Sequence, residues 1–161
     1  MILQKVISGA QTGADQAGLV AAFACNIPTG GCMPKGCITQ AGRQPDLAKL
    51  YKLYEHISSK YSPRTFENVR MSDGTMRFAF DFHSPGELCT LKAIKQYQKP
   101  YMDVDLNGFD YMHPQHAADW IVQNNIKTLN IAGNAEKVPP VVFEVVDKYL
   151  RQVFNQLKNN D

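Results

Sequence analysis

Val6-Ile7-Ser8-Gly9-Ala10-Gln11-Thr12-Gly13-Ala14-Asp15-Gln16 decides the architecture. The apolar run Leu3 to Ile7 passes through two glycines into Ala14 to Ala24, where Leu19, Ala22 and Phe23 can share a helical face. That is a strand, a tight turn and a helix. Three more β-type runs follow: Met76 to Phe82, Tyr101 to Val104 and Thr128 to Ile131. Helical patterns separate them. Leu88, Leu91, Ile94 and Tyr97 recur at helical spacing, and Pro114 precedes Ala117, Ala118, Ile121 and Val122. A last helix over about Pro140 to Leu157 carries Val142, Val146, Tyr149, Leu150, Val153 and Leu157 on one stripe. Strands alternating with helices predict a Rossmann-like three-layer α/β/α fold with a mainly parallel sheet. Residues 1–157 form one domain in this reading, and 158–161 form a frayed tail.

The segment from Gly30 to Ser72 breaks the rhythm. It offers one possible helix, Asp46 to Ile57, among turn-prone residues. Composition agrees with a single domain of 161 residues, with 11 Gly and 9 Pro at ordinary globular levels. Seventeen Lys plus Arg against fifteen Asp plus Glu leaves +2, so neither a nucleic-acid nor a membrane-surface partner is expected. No window approaches ~18 consecutive apolar residues. Met1 to Ile7 is too short for a secretory leader, and four scattered cysteines do not make a disulfide framework, so a cytoplasmic location is expected.

In an open α/β sheet, ligands bind outside the carboxyl ends of the strands. Gly9 and Gly13 let the backbone turn there, the following helix start favours an anion, and Gln11 and Thr12 add donors. The plainer alternative is an ordinary turn with Thr12 or Asp15 capping the helix. The loop lacks the Gly-Lys-Ser/Thr end of a P-loop and the full GxGxxG pattern. The acidic residue that a dinucleotide ribose would need is absent across Pro28 to Gly36. ATP hydrolysis of the P-loop type and dehydrogenation are both disfavoured.

Two further stretches complete a pattern. Ile27-Pro28-Thr29-Gly30-Gly31 leads to Pro34-Lys35-Gly36, a Gly/Pro-rich loop with one cation. Arg64-Thr65-Phe66-Glu67-Asn68-Val69-Arg70-Met71-Ser72-Asp73-Gly74-Thr75 then enters the second strand. With Ser8 to Asp15, these three motifs in one order resemble the molybdenum carrier family. That family resembles a branch of the Rossmann-like fold shared with lysine-decarboxylase-like, nucleotide-binding proteins. The resemblance spans about Val6 to the final helix. It implies a carrier of molybdenum cofactor, or of a similar phosphorylated pterin or nucleotide, or free phosphate, commonly as a homo-oligomer and with no catalysis expected. Carried onto this chain, the implied site is Gly9, Gln11, Thr12, Gly13, Lys35, Gly36, Arg64, Asn68 and Ser72, Asp73, Gly74, Thr75. Gly133, in Asn130-Ile131-Ala132-Gly133-Asn134, matches the closing loop.

One segment departs from the family. Ser84-Pro85-Gly86-Glu87-Leu88-Cys89-Thr90 keeps Gly86 and Thr90 of a Gly-Gly-Thr-type start but introduces Glu87. Its carboxylate suits the helix dipole yet repels a phosphate aimed at the same N–H groups. The segment also resembles the Pro-Gly-Gly-x-Gly-Thr-x-x-Glu motif of cytokinin-activating phosphoribohydrolases, with Lys92 and Ala93 at its acidic end. A lysine there cannot stabilise a departing ribose cation. An enzyme acting on a nucleoside phosphate, using Asp15, Asp73 or Glu87 as general acid or base, is the second function class. A nucleotide-sensing module is the third.

Cys32 and Cys37 stand five apart and His113 and His116 three apart, neither a common zinc spacing, so no metal site is expected. A Cys32 or Cys37 thiolate beside a bound molybdenum centre is chemically reasonable, since soft metals favour sulfur. Cys25 and Trp120 read as packing residues, His83 as solvated, and Asp103 and Asp105 as turn residues after the third strand.

Overall fold

The computed structural model describes residues 2–108, 113–137 and 141–159. Its centre is a six-stranded sheet built from β1 (Lys5–Ile7), β2 (Thr29–Met33), β5 (Leu53–Glu55), β6 (Gly74–Ala79), β7 (Tyr101–Asp105) and β8 (Thr128–Gly133). The order across the sheet is β5-β2-β1-β8-β6-β7, and every pairing is parallel. A separate two-stranded antiparallel ribbon joins β3 (Ile38–Thr39) to β4 (Gly42–Arg43). The helices are α1 (Ala14–Ala24), α2 (Pro45–Tyr51), α3 (Tyr61–Met71), α4 (Pro85–Tyr97), α5 (Pro114–Gln123) and α6 (Val142–Asn159). The expected three-layer architecture is present.

The two sheet faces differ in chemistry. One carries Val6, Met76, Phe78, Leu129 and Ile131 into a core shared with α1, α5 and α6. The stripe foreseen on α6 is buried in full, with Phe154 added. Across the sheet, α3 and α4 pack on each other through Val69, Ala93 and Ile94. That face carries Thr75, Arg77 and Asn130, all buried. Alternation along a strand produces the contrast: Asn130 points away from the face that holds Leu129 and Ile131.

The segment from Gly30 to Ser72 is more regular than expected. Thr29–Met33 is a fully buried strand beside β1, not a loop. Its two glycines and lack of alternation hide it from periodicity. The expected helix over Asp46 to Ile57 ends at Tyr51, with Lys52 in the left-handed conformation (φ 58°), and the chain then runs as β5. Arg64 to Met71 belongs to helix α3 rather than to an extended excursion. At the end of the chain, α6 continues through Lys158 and Asn159, whereas 140 and 160–161 lie outside the described residues. No helix among the described residues is long and apolar enough to cross a membrane.

Candidate functional site

A cleft of about 550 Å³ opens at the carboxyl edge of the sheet, around the ends of β1, β8 and β6. It lies where the strand order reverses, the position physical topology favours for a ligand, and its size suits a small molecule. Of the residues expected at a site, Gln11, Arg64, Gly86, Thr90 and Gly133 line it. Asp15 and Glu87, foreseen as possible acids or bases, line it as well.

The other expected residues have different work. Asn68 clamps β2 from α3: its Oδ1 accepts from the Cys32 N–H at 2.8 Å and its Nδ2 donates to the Cys32 carbonyl at 2.9 Å. Ser72 Oγ donates to the Val69 carbonyl, and Asp73 Oδ2 accepts from the N–H groups of Lys127 and Thr128. Ser72, Asp73 and Gly74 thus sit at the amino end of β6, across the sheet from the cleft. Thr75 Oγ1 accepts from Asn130 Nδ2 at 3.2 Å and so props a cleft residue from beneath. Lys35 is exposed on the turn after β2, where its N–H donates to the Ser58 carbonyl, and Gly36 turns the chain at φ 85°. Neither reaches the cleft lining.

In the β1–α1 loop the protein's own side chains take three of the N–H groups that the sequence offers to an anion. Ala10 N–H donates to Ser8 Oγ at 3.1 Å, Gln11 N–H to Asp15 Oδ2 at 3.4 Å, and Thr12 N–H to Gln11 Oε1 at 2.9 Å. Asp15 stands in the first turn of α1 where a bound phosphate was anticipated. Gly13, at φ 87°, is the N-cap, and Thr12 Oγ1 accepts from the Glu136 N–H at 3.4 Å. Gly9 serves a different purpose, because any Cβ there would collide with the Arg64 guanidinium lying over it.

The start of α6 is closed by a carboxylate. Glu136 accepts at Oε1 from Lys137, Val141 and Val142 N–H groups and at Oε2 from Phe143 N–H, at 2.8 to 3.2 Å. Burial alone would push its carboxyl up, but these bonds outweigh burial and hold it below the usual range.

The starts of α3 and α4, like that of α1, carry no side-chain cap among the described residues. Tyr61 and Ser62 bring one to the cleft wall, and Ser84, Pro85 and Gly86 bring the other. Cys89 Sγ donates to Ser62 Oγ at 3.4 Å and ties the two helices together beside the opening. First-turn N–H groups have no intrahelical partner, and a helix start carries partial positive charge.

Arg64 hangs between the β1 loop and this wall. Its Nη1 donates to Asp15 Oδ2 at 3.3 Å, while its Nε is buried without a partner. Burial raises the Asp15 pKa, an effect Arg64 opposes. Deeper in, Arg77 is committed elsewhere. It holds Asp103 with two bonds of 2.8 and 2.6 Å and donates from Nη1 to the Glu87 carbonyl oxygen at 3.0 Å. The Glu87 carboxylate is left 3.8 Å from Arg77 Nη1, and its Oε2 has no hydrogen bond. Burial, with Arg77 opposing and Asp15, Asp103 and Asp81 adding, pushes the Glu87 pKa up to about 7.

Both candidate cysteines are sealed away from the cleft. Cys32 is fully buried on β2, and burial pushes its thiol up to about 11; Cys37, also driven by burial, rises to about 11 and donates to Glu55 Oε1. Both are buried and neither lines the cleft, so neither thiol faces a ligand held there. No cluster of metal-ligating side chains occurs among the described residues. Asn130 and Gln40, both lining the cleft, escaped sequence reading. Asn130 had a signal, a lone amide inside an apolar strand; Gln40 had none.

These features can be set beside known proteins. Residues 6–154 match the model of the circularly permutated YpsA SLOG family. The chain is 37% identical to a putative molybdenum carrier protein from Syntrophus aciditrophicus SB, over 95% of each chain, and their structures agree with a TM-score of 0.83. No curated protein matches it. With a family match across nearly its whole length and a solved relative of the same fold, the chain belongs to the circularly permutated YpsA SLOG family.

Proposed function

We propose that this protein binds a small phosphorylated ligand in the cleft and acts as its carrier, the ligand being molybdenum cofactor or a related phosphorylated pterin or nucleotide. The carrying observation is the Arg64 guanidinium, its buried Nε unpartnered, in a cleft walled by the uncapped starts of α3 and α4. Around this cleft the α6 start holds the Glu136 carboxylate, and the Asp15 carboxylate takes the Gln11 N–H of the loop before α1. A ligand phosphoryl group is therefore received by α3, α4 and Arg64, and not by the glycine loop after β1. Charge-assisted hydrogen bonds from a guanidinium suit phosphate oxygens. Gln11, Gln40 and Asn130 supply amides for the edges of a heterocycle. The donor set fits a phosphorylated pterin as cargo, and the name of the Syntrophus relative favours that choice.

Native mass spectrometry and a pterin fluorescence scan of freshly purified protein test the reading. A co-purifying phosphorylated pterin or nucleotide supports it, with a subunit count above one expected in the same spectrum. Protein that emerges empty and binds no member of a pterin and nucleotide panel contradicts it. The catalytic reading draws on Glu87, whose carboxyl lines the cleft with Oε2 unpartnered and whose burial pushes its pKa up to about 7, as suits a general acid or base near neutrality. Turnover of a nucleoside monophosphate, lost in Glu87→Gln, would replace the carrier reading with that one.

A further inference from the structure

Glu87 is the third residue of α4, inside the turn that the reading above assigns to a phosphoryl group. A glutamate at this position ordinarily folds back on its helix start. Here it turns inward instead, with its side chain 3% exposed. Its Oε2 is buried without a hydrogen bond, and the nearest cation, Arg77, has its donors directed to Asp103 and to the Glu87 carbonyl. Asp15 on α1, Asp81 after β6 and Asp103 on β7 surround it with negative charge, against Arg77 on β6 and, across the cleft, Arg64 on α3. A doubly charged oxyanion arriving beside an ionised Glu87 would leave two acceptors facing each other with no proton between them.

We propose that Glu87 and the bound phosphoryl group share one proton, which makes Glu87 the residue that selects oxyanions able to bring or receive that proton. The inference rests on the phosphoryl site proposed above. The proton lies between a Glu87 carboxyl oxygen and a ligand oxygen, and no covalent bond changes. Either partner can supply it. A phosphate monoester has its second pKa near 6 and Glu87 sits at about 7, so near neutrality the cost is small. A monoester is thus taken up with one proton, and inorganic phosphate brings its own. Sulfate brings none and depends on Glu87 being protonated.

Calorimetric titration of the full chain with inorganic phosphate and with sulfate, between about pH 7.5 and pH 9, separates the possibilities. Sulfate keeps its charge throughout that range, and phosphate is mostly the dianion. Sulfate affinity is expected to fall about tenfold per pH unit, while phosphate affinity holds within about threefold. In Glu87→Gln the sulfate slope disappears. Equal pH dependence for the two anions in the wild-type protein overturns the proposal, whether or not the variant folds, and so does a sulfate slope that survives Glu87→Gln. If neither anion binds at any pH, the phosphoryl site itself is refuted, a distinct result.

Discussion

At the Asp15–Arg64 pair, two partly conflicting demands meet. Asp15 closes the β1 loop, and Arg64 both neutralises it and faces the cleft. Arg64→Ala leaves a buried carboxylate alone, so thermal melts should show a loss of about 3 kcal/mol at neutral pH. Adding Asp15→Asn should recover most of that stability without recovering ligand affinity, which calorimetry reads as about 10- to 100-fold weaker than wild type. Glu87 has the opposite relation to stability. Its folded pKa lies above the ordinary 4.5, so the fold binds its proton more tightly than the unfolded chain does. The Glu87 contribution to stability is therefore full below about pH 4.5 and declines as pH rises through about 7, by on the order of 3 kcal/mol. Glu87→Gln should flatten that decline in melts taken across the same range.

Among the elements, α6 shows how completely periodicity is read and how little it says of the ends. Its apolar stripe was legible because Val142, Val146, Tyr149, Leu150, Val153 and Leu157 repeat on one face. Its start was not legible, since Glu136 caps it from a loop six residues upstream of Val142. Glu136→Ala removes four accepted bonds and should cost about 1–2 kcal/mol at pH 7. Because the Glu136 pKa is depressed, the wild-type advantage is present above about pH 4.5 and vanishes as pH falls through the folded value. Tyr149 packs edge-on against Phe78, but its hydroxyl is buried without a partner. Tyr149→Phe should leave the melting temperature unchanged or raise it, by up to about 1 kcal/mol in stability. The β2 strand was missed for the reverse reason to α6: Thr-Gly-Gly-Cys-Met is buried on both faces and presents no alternation.

Across the whole molecule, parallel strands and alternating helices determine where a cleft can open, and that much was written in the order of apolar runs. Which helix start remains available was not. Gly9 and Gly13 look like a phosphate loop in one dimension; in three, Asp15 and Gln11 fold back into it and Arg64 covers it. Asp73 likewise stood near Arg64 in the motif, yet α3 carries the two residues to opposite ends of the sheet. Motif spacing records neighbours along the chain, whereas hydrogen-bond occupancy depends on side chains that meet only after folding.

The most direct measurement is a crystal structure of the protein grown with a nucleoside monophosphate. The phosphorus is expected between the first turns of α3 and α4, with the Arg64 guanidinium bonded to its oxygens. A phosphoryl group seated instead in the Gly9–Gly13 loop, with Asp15 displaced, would contradict the account.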